Sequence, residues 1–232
     1  MQPLDLYATI EEYLEFEKEV KYLYQTIKDI AISNQPNSLL DIGCGQGEFC
    51  KLMASNGIDT MGVDLSAKQI NIAKEKGIDA EHIDIKDISN KYDCATATFD
   101  VINYLPKDYI EEFLQHTFDL LNSGGYFIFD INSLFGFDEI AQGTLNIDVE
   151  DKFIAIDATF DNEILYTDIT LFTKDKECYS KENGTIQQYY YTNDELFTLL
   201  TNTGFMIESI KQFNLHSDTT NDKYIFICKK GN

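Results

Sequence analysis

The apolar positions of this chain change period several times, and each change marks an element. Over residues 8–31, Ile10, Tyr13, Leu14, Val20, Leu23, Tyr24, Ile27 and Ile30 recur at steps of three and four. That spacing predicts one amphipathic helix, ended by the polar run 34–37 with Pro36 inside it. Short apolar runs then alternate with helical patterns. Residues 38–42, 60–63, 80–83 and 92–98 read as strands, and 47–55 and 67–76 as helices, the second closed by Gly77. Pro106 opens a helix through Leu121, with Ile110, Phe113, Leu114, Thr117 and Leu121 as its buried stripe. Residues 126–131 follow as a strand. Alternation at this spacing predicts an α/β fold with a mostly parallel sheet covered on both faces.

Between 145 and 191 the period drops to two. Phe153, Ala155, Asp157 and Thr159 alternate with Ile154, Ile156, Ala158 and Phe160, and Asp161-Asn162 and Asn183-Gly184 carry turn signals. Two or three antiparallel strands inserted into the α/β domain are expected here. The α/β rhythm then returns, with a helix over 193–203 capped by Thr192 and ended by Gly204, and final strands over 205–213 and 223–228. A chain of 232 residues with this pattern is one domain. Residues 1–35 form its helical cap.

The first strand leads into Gly43-Cys44-Gly45-Gln46-Gly47, which opens a helix. Glycines let backbone approach a ligand and take positive φ, and a helix N-terminus presents free N–H groups. A dinucleotide-binding turn has GxGxxG. Here Asp41 precedes glycines at every second position, and Glu48 stands where the third glycine of that fingerprint belongs. A nicotinamide dehydrogenase is disfavoured on this spacing.

DIGCGQG resembles the first motif of class I S-adenosylmethionine-dependent methyltransferases, with Gln46 where Thr is usual. Met61–Ser66 (MGVDLS) resembles the family's second-strand motif. By that resemblance Asp64, with Leu65 beside it, holds the ribose hydroxyls. His82–Ile88 resembles the adenine segment, which assigns Asp84 and the N–H of Ile85 to the base, with Asp87 as the neighbouring alternative. Residues 92–105 (YDCATATFDVINYL) and 125–133 (GYFIFDINS) are similar to a bacterial subgroup acting on small molecules. Thr98 and Phe99 then flank the methionine part of the cofactor, and Asn103, Tyr104 and Asn132 face the acceptor. The alternative for Asn103 and Asn132 is satisfaction of loop backbone groups. The resemblance implies a Rossmann-like sheet with its last strand antiparallel. It also places the 145–191 insertion over the acceptor site.

The cofactor-binding set expected from the motifs is therefore Asp41, Gly43, Gly45, Gly47, Asp64, Leu65, Asp84, Ile85, Thr98 and Phe99. Methyl transfer needs no protein nucleophile. A base is needed only if the acceptor must lose a proton, and the candidates are Asp100, Tyr104, Asp130 and His116. Tyr7 and Tyr13 fit either closure over the cofactor or the apolar stripe of the first helix. The run Tyr189–Tyr191 fits either sheet packing or a pocket wall.

Charge narrows the acceptor. The formal net charge is −22, and every basic residue is a lysine. Nucleic-acid binding draws on neutralised phosphates and the guanidinium fork, so DNA and RNA are poor partners. A neutral or cationic small molecule is favoured. A methyltransferase acting on a basic protein and a non-catalytic S-adenosylmethionine-binding module are the alternatives. Five cysteines without a CxxC pair predict neither a disulfide framework nor a metal site. No run approaches the roughly 20 apolar residues of a membrane span, and the acidic start is no secretory signal. A cytoplasmic protein is expected.

Overall fold

The computed structural model describes residues 3–216 and 219–231. Seven strands form the main sheet: β1 (Ser38–Ile42), β2 (Asp59–Asp64), β3 (Ala80–His82), β4 (Tyr92–Ala97), β5 (Leu121–Asn132), β10 (Phe205–Phe213) and β11 (Lys223–Lys230). Their order is β10-β11-β5-β4-β1-β2-β3. The pairs among β1 to β5 are parallel, and β11 runs antiparallel to both β5 and β10. This is the Rossmann-like arrangement expected of class I methyltransferases.

Period-two alternation sorts the core into two layers. Leu39, Ile128, Ile225 and Ile227 face α2 (Glu17–Ser33) and α3 (Glu48–Ser55), meeting Leu23, Ile27, Phe49 and Met53. Leu40, Phe127, Phe129 and Phe226 face the other way, onto α5 (Ile110–Leu120) and α6 (Asn193–Thr203) through Ile110, Leu114, Leu196 and Leu200. Phe127 and Phe129 stack at 4.7 Å, and Phe129 and Phe226 at 4.9 Å. α4 (Ala67–Glu75) contacts β2 and β3. Among the described residues no helix is long and apolar enough to cross a membrane.

The insertion is a separate sheet with more strands than the sequence suggested. β6 (Gly143–Val149), β7 (Lys152–Asp161), β8 (Ile164–Asp175) and β9 (Cys178–Tyr189) form an antiparallel meander. Asn183-Gly184 is not a turn but lies inside β9. The turn falls at Lys176, which is left-handed (φ 56°). Gly184 faces α1 (Pro3–Ile10): a Cβ there would meet Pro3 Cα at 3.4 Å, an ordinary van der Waals contact, so packing does not require the glycine.

The expected helix over 8–31 is divided. α1 passes through a 3-10 turn at Glu11–Tyr13 and a left-handed Glu15 (φ 56°) before α2 begins. The apolar stripe continues across the break because its two halves serve different surfaces. Leu6, Ile10 and Leu14 pack on Ile154, Ile169, Leu171 and Ile186 of the insertion, while α2 covers the main sheet. Pro106 opens a turn, not the helix itself: Tyr109 and Ile110 donate to its carbonyl, and α5 starts at Ile110. α6 matches its sequence signals, with a full capping box between Thr192 and Glu195 and Gly204 left-handed at its end. Thr192→Ala should cost about 1 kcal/mol, read as a lower urea midpoint at unchanged slope. An unshifted midpoint would mean the cap bonds carry no net stability.

Candidate active site

β1 runs into a loop that demands glycine for two different reasons. Gly43 is left-handed (φ 70°), and a Cβ there would lie 2.5 Å from Val101 Cγ2. Its N–H and that of Cys44 both donate to the Val63 carbonyl, at 2.8 and 3.0 Å, which ties the loop to β2. Gly45 is also left-handed (φ 54°), yet no atom lies within 4 Å of where its Cβ would be. Packing explains Gly43. Gly45 faces open space, as backbone does where a ligand must come close. Gly47 then caps α3.

Asp64 ends β2 beside this loop. Its carboxylate accepts the Gly45 N–H at 2.9 Å and the Ser66 N–H at 2.7 Å. Burial pushes its pKa up, and the two N–H groups oppose that. Each oxygen keeps a lone pair for a further donor. Leu65 next to it is exposed, and its carbonyl meets His82 Nε2 at 3.1 Å. Asp84 caps the short turn after β3 by accepting the Lys86 N–H at 3.2 Å, with Ile85 buried behind it.

The N-terminal segment reaches across these loops. Asp5 accepts from the Ser66 hydroxyl at 2.6 Å. Lys68 Nζ donates to the Thr9 hydroxyl at 2.6 Å. Glu11 accepts from the side-chain amides of Gln46 and Gln69, both at 3.0 Å. Tyr7 of α1 and Tyr104 pack against the apolar cluster that this segment forms with the insertion. Burial pushes both phenols well above their usual pKa. Asp5, Glu11 and Gln69 carried no sequence motif.

The exit of β4 holds two consecutive left-handed residues that are not glycine, Phe99 (φ 63°) and Asp100 (φ 69°). Such conformations cost about 1–3 kcal/mol each and persist only where surroundings impose them. The wholly buried Asp130 imposes this one. It accepts the Phe99 N–H at 2.6 Å and the Asp100 N–H at 3.3 Å. Lys223 of β11, only 2% exposed, meets Asp130 at 3.0 Å and Asn132 Oδ1 at 2.9 Å, and also binds the Asp100 carboxylate. Burial acts against both charges, pushing Asp130 up to about 7 and pulling Lys223 down to about 7. Two carboxylates on one ammonium act the other way and keep the proton on Lys223.

Residues 13–210 match the model of a family described as "Methyltransferase domain". The chain belongs to this methyltransferase family. A protein of Geobacillus sp. (strain WCH70), provisionally named a methyltransferase, is 26% identical over 208 residues, covering 83% of this chain and 84% of that protein. An S-adenosylmethionine-dependent methyltransferase from Clostridium acetobutylicum superposes with a TM-score of 0.79 at 21% identity, covering 98% of this chain and 97% of that one. The S-adenosylmethionine-bound amino pentose methyltransferase CalS10 from Micromonospora echinaspora gives 0.68 at 16% identity, with 89% of each chain covered.

In this methyltransferase the motif residues collect at the exits of β1, β2, β3 and β4. Some of the sequence expectations need correction. Asn103 is wholly buried, and its amide is occupied by the Asn132 N–H (3.0 Å) and the Tyr189 carbonyl (2.9 Å). Asn132 directs its side-chain oxygen at Lys223. Both side chains tie elements together, and Asn103 meets the alternative of satisfying backbone groups. Asp130 is occupied by backbone N–H groups and Lys223, so it is no free base. His116 lies on the outer side of α5 beside Glu112 at 3.4 Å. Asp41 is 1% exposed and sits behind the loop, accepting from Thr96 Oγ1 at 2.8 Å and Cys50 Sγ at 3.6 Å.

Asp41 makes a pH test possible. Burial raises it from 3.8 to about 7. The folded protein therefore holds this proton more tightly than the unfolded chain. The stability that goes with it is complete below about 3.8 and is lost as pH rises through about 7. Asp41→Asn should be more stable than wild type at pH 8, by about 2–4 kcal/mol, with the gap closing as pH falls toward 5. A gap in thermal or urea unfolding that stays constant with pH would show that Asp41 does not titrate in this way.

Proposed function

We propose that this methyltransferase moves a methyl group from S-adenosylmethionine to a small-molecule acceptor, with a neutral amine as the favoured class. The observation that carries the cofactor is Gly45, left-handed, with open space over its backbone and its N–H on Asp64. S-adenosylmethionine brings a methyl group already activated by its sulfonium. The chain's task is to bind and orient. Asp64 offers lone pairs to ribose hydroxyls, and charge-assisted bonds of this type contribute about 1.5–3 kcal/mol each. By the motif resemblance, Asp84 and the Ile85 N–H serve the base, and Thr98 and Phe99 the amino-acid end. Orientation alone supplies as much as about 7–11 kcal/mol of barrier reduction.

Two features support a small acceptor. The insertion lies against the exit of β4, since Tyr104 packs among its residues and the Tyr189 carbonyl of β9 accepts from Asn103. That arrangement favours an enclosed site over one open to a protein substrate. The base candidates favour an amine over a hydroxyl. Asp130 and Asp100 are bound to Lys223, His116 is remote on α5, and burial keeps the Tyr104 phenol protonated. An amine that arrives neutral already has its lone pair and needs no protein base for attack.

The test is release of S-adenosylhomocysteine with panels of amino sugars and other small amines, matched hydroxyl compounds, and a basic protein. Turnover should appear with amines. Turnover only with hydroxyl compounds or with the protein would refute the acceptor reading. Calorimetry should show Gly45→Val and Asp64→Ala each weakening S-adenosylmethionine binding by about tenfold or more. Unchanged affinity in both would refute the cofactor site.

A further inference from the structure

Lys223 has no part in the chemistry described above, yet it is the most deeply buried lysine at this end of the sheet. It enters from β11 in register with Asn132 of β5. The groups it joins lie far away in sequence, 123 residues for Asp100 and 93 for Asp130. Its ammonium touches both members of the turn-holding system. It grips Asp130, which accepts the two N–H groups of the turn, and it grips the side chain of Asp100, which is part of the turn. The same ammonium lies 5.4 Å from the centre of the Phe99 ring. One residue further on, Val101 packs on Gly43 so closely that no Cβ fits between them. A continuous set of contacts therefore runs from Lys223 through Phe99–Asp100 and Val101 to the glycine loop.

We propose that Lys223 is a positioning residue of the methyl-transfer site. It holds Phe99 and Asp100 in their left-handed conformation, and through Val101 it sets the glycine loop for the cofactor. What the turn positions rests on the proposed function. That Lys223 holds the turn does not. A carboxylate pair alone would repel and let the Asp100 side chain swing out. The turn has no glycine to hold this shape unaided.

Lys223→Met leaves buried carboxylates without their cation and is at risk of unfolding. The double variant Lys223→Met with Asp100→Asn removes one of those charges and is the protein to test. Thr192→Ala, whose cap bonds run only to Glu195 and touch none of the residues expected to hold the cofactor, serves as a destabilised control. Calorimetry with S-adenosylhomocysteine should show at least tenfold weaker binding in the folded double variant and unchanged binding in the Thr192→Ala protein. Wild-type-like affinity in the folded double variant would overturn the proposed effect on the glycine loop. In parallel, the amide proton resonances of residues 99 and 100 are followed in labelled double variant, in Asp100→Asn alone and in the Thr192→Ala control. They should move further in the double variant than in Asp100→Asn, and stay in place in the control. If the double variant matches Asp100→Asn, Lys223 does not hold the turn. Should wild type itself fail to bind S-adenosylhomocysteine, the methyl-transfer reading falls, and the amide resonances still decide the role of Lys223.

Discussion

A carboxylate buried out of reach of solvent holds the end of β4 in a shape its own residues disfavour. Asp130 does this by accepting the N–H groups of Phe99 and Asp100. A buried charge of this kind is costly unless hydrogen bonds and a counter-charge surround it. Lys223 is that counter-charge, and it arrives only because β11 runs antiparallel beside β5. The reversed last strand is thus more than a topological detail. It delivers a cation to the exits of β4 and β5, beside the left-handed Phe99 and Asp100.

Around that point the loops support one another. Val101 fills the space that Gly43 leaves, Gly43 and Cys44 hang on the Val63 carbonyl, and Asp64 takes the Gly45 N–H. Each contact links the exit of one strand to the exit of another. Sheet order places β4, β1 and β2 side by side, so three loops meet at the carboxyl edge where open α/β sheets bind ligands. α1 and β9 touch the loops at this edge, α1 through Ser66 and β9 through Asn103. On one side, the N-terminal segment joins Asp5 to Ser66 and Glu11 to Gln46 and Gln69. On the other, it lays Leu6 and Ile10 on the insertion.

Much of this was legible in the sequence, where the signal is local. Glycine spacing located the loop, period changes located most strands, and Thr192 with Glu195 located a helix start. The misses share a cause, which is contact between distant segments. An unbroken stripe over 8–31 concealed a break in the helix, because both halves are apolar against different partners. Asn183-Gly184 looked like a turn because its pairing with Thr170 and Ile169 of β8 lies outside the local sequence. The ties made by Asn103 and Asn132 were hidden because their partners, Tyr189 and Lys223, are far along the chain. Lys223 itself sits in a strand that ends in the half-buried Lys229 and Lys230, and nothing local separates it from them.

The central claim is that one ligand site is formed where the exits of β1 to β4 meet. Titration of isotope-labelled protein with S-adenosylhomocysteine, read amide by amide, tests it most directly. The account predicts that the largest shifts fall on Gly45, Asp64, Leu65, Ile85, Thr98 and Phe99 together, at one saturation point. Shifts confined to the inserted sheet, or no shift at high ligand concentration, would contradict it.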